Sequence, residues 1–421
     1  MMNLNKYKLA DIAKIEISGV DKKTIEGETP VRLCNFVDVY YNWAVTKEKA
    51  KSFMAASAKQ TEIDKCSIGK GMVAITKDSE TRDDIGVATY IADDFENVVL
   101  GYHCALIIPN SAIVNGKYLN AFMHTRYIQK YFENNASGSG QRYTLSNDTI
   151  GNIPVLLPSI EEQHIIGNVL ADIDRKIELN RTINQNLEAM AKQLYDYWFV
   201  QFDFPNEEGK PYKSSGGEMV WNDKLKRNIP VGWHCGNLFE IAGFTNGLAC
   251  QKFRPKDDEV PLPVIKIREM HDGISVDTEK VTSNIPESVK VYNGDVLFSW
   301  SASLEVMLWA YGLGGLNQHI FKVTSANDFP KSFYYFQLLD YVDVFKKMAE
   351  ARKTTMGHIT QDHLQQSTIA IPDNKDVADK FEELISPIFE LIVKLQEEIS
   401  NLTKQRDELL PLLMNGQIII E

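Results

Sequence analysis

The chain has 421 residues, too many for one ordinary core and suited to two or three domains of about 100–200 residues each. Apolar residues make up 44% of the sequence, so it can bury such cores and is not a disordered tail. No run approaches about 18 uninterrupted apolar residues, and the start lacks the apolar segment of a signal peptide. We therefore expect a protein that is neither membrane-bound nor exported.

The cysteines and the charge restrict the possible functions further. The five cysteines are widely spread and free of any Cys-x-x-Cys pair, which argues against a disulfide framework or zinc ribbon and predicts a cytoplasmic protein. A net charge of −12 disfavours a polyanionic partner when taken alone. The acidic residues are unevenly distributed, because residues 1–158 carry 18 basic and 18 acidic groups whereas residues 373–421 carry 5 and 11.

Two halves of the chain resemble each other in sequence. Leu145–Ile150 and the following Val155–Pro158 have counterparts in Ile359–Leu364 and Ile369–Pro372. Three more pairs occur in the same order: Val31–Leu33 with Ile265–Ile267, Gly71–Ile75 with Gly294–Phe298, and the aromatic short helices at Tyr118–Phe122 and Phe333–Phe336. Chance similarity between two α+β domains is the alternative, but the preserved order and spacing favour an internal repeat.

Each half is predicted to be an α+β domain followed by a long helix. The domains are expected at residues 1–158 and 229–372, and the helices lie within residues 159–200 and 373–421. The polar, glycine-rich segment 201–228 is predicted to be a linker, because its composition is typical of turns.

Both helical regions carry an apolar residue at every seventh position, as in a coiled coil. The first stripe, on a helix expected at 161–199, is Ile166, Ile173, Asn180, Leu187 and Leu194. The second, on a helix expected at 376–413, is Phe381, Ile388, Leu395, Leu402 and Leu409. A second stripe on the first helix is predicted at Val169, Ile183, Met190 and Tyr197. Each helix could instead pack on its own domain, but their nearly equal lengths favour packing on each other.

A search for catalytic groups finds none that form a convincing site. Cys66–Lys70 lacks the second glycine and the Ser/Thr of a phosphate-binding loop, and Gly312–Gly315 is more typical of a hairpin turn than of a dinucleotide site. His358 and His363 have a spacing that could bind a metal, but a solvated loop followed by a helix start explains them better. The sequence therefore predicts a chain that is not an enzyme and holds no cofactor or metal.

Four motifs in the duplicated framework carry a family resemblance. They are Ile229–Trp233 at the opening of the second domain, Gly294–Phe298, Leu157–Gln163 before the first long helix, and Arg406–Gln417 at the end of the second helix. Together they resemble the specificity subunit of a type I restriction-modification system, over essentially the whole chain. The first domain departs from the pattern, because Asn5–Leu9 lacks the Pro-x-Gly-Trp opening.

The resemblance implies a non-catalytic subunit that binds double-stranded DNA. Two target recognition domains would each read one half of a split asymmetric sequence, and the two long helices would form an antiparallel coiled coil between them. It also implies two methyltransferase (modification) subunits and motor-nuclease (restriction) subunits as partners. S-adenosylmethionine, ATP and Mg²⁺ would be bound by those partners, and this chain would hold no cofactor.

Two polar loops after the aromatic helices are the candidate DNA-binding sites. Arg and Gln can hydrogen-bond base edges, whereas Lys and Ser mainly contact phosphate. The candidates are Ser137, Ser139, Gln141 and Arg142 in the first domain, and Arg352, Lys353, Thr354, Thr355 and His358 in the second. Ordinary solvated loops remain the alternative. Asn317, Gln318 and His319 are weaker candidates, for which an edge strand is the better interpretation.

Two other classes of function remain open at this stage. The acidic composition is compatible with a protein-interaction scaffold that has duplicated domains and a coiled coil, and a hydrolase with an unrecognised active site is a third possibility. A neighbouring gene for an adenine methyltransferase, recognisable by an Asn/Asp-Pro-Pro-Tyr/Phe tetrapeptide, would favour the DNA-reading subunit.

Overall fold

A computed structural model describes residues 3–138, 140–256, 258–351 and 359–418, with the side chains of 349–351 left out. Helices and strands are mixed throughout, which confirms the predicted α+β class. In these ranges, no helix is both long enough and apolar enough to cross a membrane. The chain divides into two compact units, Met1–Ile177 with Leu402–Glu421, and Glu178–Asn401.

The first unit is built mainly from short strands and short helices. Its strands are β1 Asn5–Lys8, β2 Ala13–Ile17, β3 Thr29–Cys34, β4 Ala44–Val45, β5 Met54–Ala58, β6 Val73–Thr76, β7 Asp78–Ser79, β8 Ala88–Ile91, β9 Val98–Leu100, β10 Cys104–Pro109, β11 Ser137–Gly138, β12 Tyr143–Thr144 and β13 Pro154–Leu157. Its short helices are α1 Leu9–Ile12, α2 Phe36–Tyr40, α3 Lys47–Ala50, α4 Gln60–Cys66, α5 Gly116–Met123, α6 Arg126–Asn135 and α7 Asn147–Gly151.

A five-stranded sheet in the order β2-β10-β6-β8-β4 lies at the centre of the first unit. Successive side chains of a strand point to opposite faces, and here both faces are covered. Val73 and Ile75 of β6 belong to one apolar core, whereas Ala74 belongs to a second one. All four residues of β6 are buried and the first three are apolar, as expected for a strand that is covered on both faces.

The aromatic segment after this sheet forms two helices instead of one. The Thr125 hydroxyl accepts a hydrogen bond from the Ile128 amide (3.4 Å) and donates to the Phe122 carbonyl (2.7 Å). These bonds end α5 and cap the start of α6. The core beneath the helices also contains Leu413 and Met414, which come from the end of the last helix of the chain.

The second unit repeats this plan. The long helix α8, Ile160–Tyr195, starts in the first unit and continues into the second as far as a π-helix, Asp196–Val200. The strands that follow are β14 Met219–Asn222, β15 Arg227–Pro230, β16 Trp233–Gly236, β17 Ala242–Asn246, β18 Leu262–Ile265, β19 Lys280–Val281, β20 Lys290–Val291, β21 Val296–Ser299, β22 Glu305–Leu308, β23 Gly314–Leu316, β24 Ile320–Ser325 and β25 Ile369–Pro372. The helices are α9 Leu238–Ile241, α10 Ile267–Asp272, α11 Lys331–Ala351, α12 Gln361–Gln365 and α13 Asp376–Met414.

The sheet order β17-β24-β21-β22 in the second unit matches β2-β10-β6-β8 in the first. The strand β21 is also buried on both faces, with Val296 and Phe298 in one core and Leu297 in the other. The glycines before the two central strands both have positive φ, +92° at Gly71 and +86° at Gly294, a conformation that favours glycine. The internal repeat predicted from the sequence is therefore confirmed.

Two details of the predicted repeat are wrong. Cys34 and Ile265 each end a strand that pairs in parallel with its neighbour, and an N-cap residue follows each of them. Cys34 is thus the counterpart of Ile265, and the predicted pairing of Val31 with Ile265 is wrong by three residues. The second aromatic helix, α11, is a continuous helix of 21 residues and is not short.

The segment 201–228, predicted to be a linker, packs against the second unit. Phe202 and Phe204 are buried, and their ring centroids lie 5.3 and 5.7 Å from that of Trp233. The segment also contains β14, which forms a hairpin with β15. The aromatic residues thus belong to the core even though most of the segment is polar.

The helices α8 and α13 contact each other within each unit. In the first unit, Arg406 Nη1 lies 3.8 Å from Asp174 Oδ1. In the second, Asn180 Nδ2 donates to Glu398 Oε2 (3.0 Å) and Asn184 Nδ2 donates to the Ile392 carbonyl (3.2 Å). Residue numbers rise along one helix as they fall along the other, so the pairing is antiparallel, as predicted.

The predicted second stripe on α8 is wrong. Met190 is 51% exposed and Tyr197 is 37% exposed, whereas the buried positions one residue further along are Leu170, Ile177, Asn184, Ala191 and Trp198. The helix therefore buries a face that includes an asparagine and an alanine, and it leaves apolar side chains at its surface.

Candidate nucleic-acid interface

The first predicted DNA-binding loop is a hairpin on a small three-stranded sheet. The strand β12 pairs with β11 on one side and with β7 on the other, so Thr144 lies opposite both Ser137 and Asp78. A Cβ atom on Gly138 would lie 2.2 Å from the Arg142 carbonyl oxygen, so only glycine allows the two arms to come this close. The turn presents Gln141 and Arg142, and Ser139 lies outside the described residues.

Arg142 is held by two residues from other parts of the chain. His103 Nδ1 lies 2.6 Å from Asp78 Oδ2, and the Arg142 Nη2 atom lies 3.0 Å from His103 Nε2. Arg142 Nη2 also lies 3.5 Å from Asp78 Oδ2. Arg142 Nη2 also contacts His103 Nδ1, so this nitrogen faces both the carboxylate and the guanidinium, and the three side chains form one cluster.

Asp78 provides the negative charge at the base of this cluster. Its side chain is 10% exposed, and burial alone would raise its pKa. Hydrogen bonds from Thr144 and His103, together with the charges of Lys77 and Arg142, outweigh burial and lower the pKa below its ordinary value of 3.8. Asp78 is therefore ionised at neutral pH and attracts the guanidinium.

An open groove of about 550 Å³ lies beside the cluster. Its lining combines aromatic rings with three carboxylates and one arginine, so Arg142 is the cation that could contact DNA there, and the groove as a whole is more acidic than a typical nucleic-acid binding surface. The lining residues are Phe36, Val37, Tyr40, Tyr41, Asp78, Ser79, Glu80, Thr81, Asp84, His103, Gln141 and Arg142. Tyr41 is 74% exposed, and Tyr102, whose ring centroid lies 4.0 Å from that of His103, is 50% exposed.

The predicted residues of the first loop do not all line this groove. Gln141 and Arg142 do, whereas the Ser137 hydroxyl hydrogen-bonds the Thr144 carbonyl (3.3 Å) across the hairpin. Ser137 therefore helps to close the hairpin. Asp78, His103 and the tyrosines were not predicted, because they come from separate parts of the sequence and carry no common motif.

The second unit has the same backbone frame around its own loop. In the first unit, the Lys77 amide donates to the His103 carbonyl (2.7 Å) and the Leu145 amide donates to the Lys77 carbonyl (2.8 Å). In the second, the Trp300 amide donates to the His319 carbonyl (3.3 Å) and the Ile359 amide donates to the Trp300 carbonyl (3.0 Å). Trp300 and His319 are therefore the counterparts of Lys77 and His103.

The side chains in this second frame differ from those in the first. The ring centroids of Trp300 and His319 are 5.5 Å apart, and Trp300 Nε1 donates to Asn246 Oδ1 (3.2 Å). Asn317 is buried and forms an isolated parallel bridge with Leu248, whereas Gln318 and His319 lie in the turn before β24 and not in an edge strand. Arg352, Lys353, Thr354, Thr355 and His358 lie outside the described residues.

Within the ranges that the structure describes, no three His, Cys, Asp or Glu side chains come close enough to hold a metal ion.

Comparison with known proteins identifies relatives over nearly the whole chain. The family model for the type I restriction modification DNA specificity domain matches residues 1–189 and 230–401. The specificity subunit of the type I restriction enzyme MjaIX from Methanocaldococcus jannaschii is 26% identical, over 75% of this chain and 72% of the relative. The HindI specificity subunit from Haemophilus influenzae is 24% identical, over 81% of this chain and 85% of the relative.

A solved structure has a similar fold. The crystal structure of the S subunit of a type I restriction-modification system from M. genitalium matches with a TM-score of 0.58. The match covers 98% of this chain and 96% of that one, at 14% sequence identity. At this level of identity the likeness concerns the fold alone.

Proposed function

The chain belongs to the family of type I restriction-modification DNA specificity domains, and we propose that it recognises a specific DNA sequence in two separate parts. Each of its two similar domains, residues 1–158 and 229–372, would read one half of the target. The long helical segments, 159–200 and 373–421, would determine the gap between the halves. The chain itself would catalyse no reaction.

The observation that carries this proposal is the repeated frame around two different sets of side chains. His103 and His319 are in equivalent positions, but Lys77 in the first frame is replaced by Trp300 in the second. Two domains of one architecture with different recognition groups are suited to two different half-sites. This difference supports a split asymmetric target.

The DNA contacts are proposed for the loop in each domain and the surface around it. The groups that would make them are Ser137, Ser139, Gln141 and Arg142 in the first domain, and Arg352, Lys353, Thr354, Thr355 and His358 in the second. The first domain as a whole is neutral, with 18 basic and 18 acidic groups in residues 1–158, so its affinity for phosphate depends on local patches.

The proposed protein partners are two methyltransferase subunits, which use S-adenosylmethionine, and motor-nuclease subunits, which use ATP and Mg²⁺. The acidic charge supports protein partners for the second helical segment, since 5 basic and 11 acidic groups in residues 373–421 would repel DNA. A complex that acts on chromosomal DNA would be located in the cytoplasm.

The test is to map adenine methylation in cells that lack other adenine methyltransferases. Three strains are compared, carrying this chain alone, a matching modification subunit alone, or both together. We expect N6-methyladenine at one split motif only in the strain that carries both. Methylation with this chain alone would contradict the non-catalytic role.

Two further experiments test which domain reads which half-site and whether the chain is instead a protein-interaction scaffold. Lys353→Ala is expected to change or weaken recognition of one half-site and leave intact the half-site that Arg142→Ala affects. If this chain binds the modification subunit but the purified complex shows no sequence-specific DNA binding, the chain is a protein-interaction scaffold.

A further inference from the structure

We propose that Arg142 reads a guanine in the half-site of the first domain, and that His103 and Asp78 are positioning residues that hold its guanidinium group. This proposal rests on the proposed function. It adds the identity of one base and the role of two residues that lie far from the loop in sequence.

The geometry leaves part of the guanidinium available for a ligand. Only Nη2 takes part in the contacts with His103 and Asp78, and Arg142 Nη1 and Nε have no hydrogen bond to any described residue. The Arg142 side chain is 57% exposed and lines the open groove. Both two-donor edges of a guanidinium include Nη2, so a guanine would accept from the second N–H of Nη2 together with the N–H of Nε or Nη1.

A guanine is the base that matches such an edge. Its O6 and N7 atoms present two acceptors side by side in the major groove, and arginine binds them with two hydrogen bonds. Adenine offers one acceptor and one donor at the same place, so it cannot accept both bonds. The second bond would be lost with any other base pair at this position.

The Asp78–His103 pair beneath Arg142 orients the guanidinium before it meets DNA. Asp78 is only 10% exposed, it is ionised, and it fixes His103 through a 2.6 Å contact. An arginine held in this way loses less side-chain entropy when it binds, and its orientation is fixed before the DNA arrives. Arginine can also bind phosphate with two hydrogen bonds, so methylation of the single-base variants distinguishes the two contacts.

The second domain has no such arrangement at the equivalent position. Trp300 is the counterpart of Lys77, so the residue that corresponds to Asp78 is Ser301, which carries no charge. We therefore expect guanine recognition supported by Asp78 only in the half-site that the first domain reads.

The experiment uses the complete chain with its modification subunit and measures methylation at every single-base variant of the motif. Arg142→Gln removes the cationic two-donor group, and Arg142→Lys keeps the charge but replaces the planar fork. Asp78→Asn and His103→Gln weaken the support of the guanidinium. The matched control is Arg126→Gln, an exposed arginine on α6 of the same unit.

We expect Arg142→Gln to lose roughly 5- to 150-fold discrimination at one G·C pair of one half-site, since a two-bond contact contributes that much, and Arg142→Lys to lose part of it at the same pair. Asp78→Asn and His103→Gln should reduce discrimination at the same pair, and they should have no further effect in an Arg142→Gln background. The other half-site and the control should be unchanged.

Three outcomes would overturn the proposal. An unchanged motif in both Arg142 variants would make the cluster a structural ion pair. Retention of the motif by Arg142→Lys, with uniform weakening in Arg142→Gln, would assign Arg142 to phosphate. Relaxation at the same base pair by Asp78→Asn in the Arg142→Gln background would show that Asp78 acts independently of Arg142. By contrast, absence of a split motif in the wild type would reject the proposed function itself.

Discussion

The guanidinium carbon of Arg406 lies 4.7 Å from the centre of the Trp43 ring, and this ring stacks on His124 with a centroid separation of 4.3 Å. Arg406 comes from the last helix, whereas Trp43 and His124 lie in the first domain. Arg406 also faces Asp174 on α8. One side chain thus joins the end of α13 to both the domain and the other helix of the first unit.

Replacing Arg406 by alanine should destabilise the first unit. The change removes a cation–π contact and leaves Asp174, whose side chain is 7% exposed, without this cation. We expect a loss of about 2 kcal/mol in the free energy of unfolding. Hydrogen exchange of peptides from the first unit provides the measurement.

Lys404→Ala is the control for this variant. Lys404 is on the same helix, but its side chain is 75% exposed and lies 3.9 Å from Glu408. Exposed pairs of this kind contribute little, so exchange should be nearly unchanged. Equal protection in Arg406→Ala and the wild type would mean that the Trp43 contact does not stabilise the unit.

His124 should make the stability of the first unit depend on pH. Burial and the positive charge of Arg406 lower its pKa from 6.5 to about 4, despite the hydrogen bond to the Ala88 carbonyl. The unfolded chain therefore binds a proton before the folded chain does. The stabilisation is complete above pH 6.5 and is lost as the pH falls towards 4, by at most about 3 kcal/mol.

Denaturant unfolding at pH 7 and pH 4.5 tests this dependence. His124→Phe should reduce the difference between the two pH values, whereas His164→Gln, a change at an exposed histidine, should not. Arg406→Gln should raise the pKa of His124 and thus also reduce the difference. The same pH dependence in wild type and His124→Phe would assign it to other groups.

His234 should have the opposite effect in the second unit. Its ring lies 2.6 Å from Asp373 and 3.2 Å from Glu240. Burial lowers its pKa, but the hydrogen bonds and charges of the two carboxylates outweigh burial and raise it above 6.5. The stabilisation is present below pH 6.5 and is lost as the pH rises through the folded-state value.

The corresponding measurement is the unfolding midpoint of the second unit at pH 6 and pH 8. The wild type should be relatively more stable at pH 6, and His234→Gln should lose this preference. Asp373→Asn should show an intermediate difference between the midpoints at pH 6 and pH 8, because the Glu240 carboxylate remains beside His234. If His234→Gln shows the same difference between the two midpoints as the wild type, the pH dependence does not come from His234.

The proposed spacer role of the helices predicts the effect of an insertion. Four residues added after Asn180 lengthen α8 by about 6 Å, which corresponds to at most about two base pairs of DNA. The gap in the methylated motif should grow and the half-sites should remain. Because four residues do not complete a heptad, the insertion should also unwind the helix pair locally and lower its stability.

Methylation mapping in cells that carry the insertion determines both the length of the gap and the sequences of the half-sites. A seven-residue insertion at the same place is the comparison, since it retains the heptad. Altered half-sites at the original gap would show that the domains determine the spacing.

The architecture was predictable where the pattern of apolar residues is simple. Strands such as β6 and β21 are buried on both faces, so each forms an apolar run after a turn glycine. The second stripe of α8 was not predictable in the same way. Its buried face includes Asn184, whose amide bonds to a carbonyl of the facing helix, whereas the apolar Met190 lies at the surface.

The candidate site was only partly predictable, because its residues come from distant parts of the sequence. Gln141 and Arg142 occur in a glycine-rich loop and attract attention as exposed polar groups. Asp78 begins β7 and His103 precedes β10, and they meet Arg142 only through the pairing of β12 with β7 and the turn before β10. No local sequence pattern records a contact of this kind.

The position of Leu413 and Met414 in the core of the first unit has a consequence for the order of folding. Domains usually fold from the N-terminus onwards as the ribosome releases them. Here the first unit includes residues that are synthesised after the whole of the second unit. The second unit can therefore complete its core first, while the nascent first unit still exposes the apolar surface that α13 will cover.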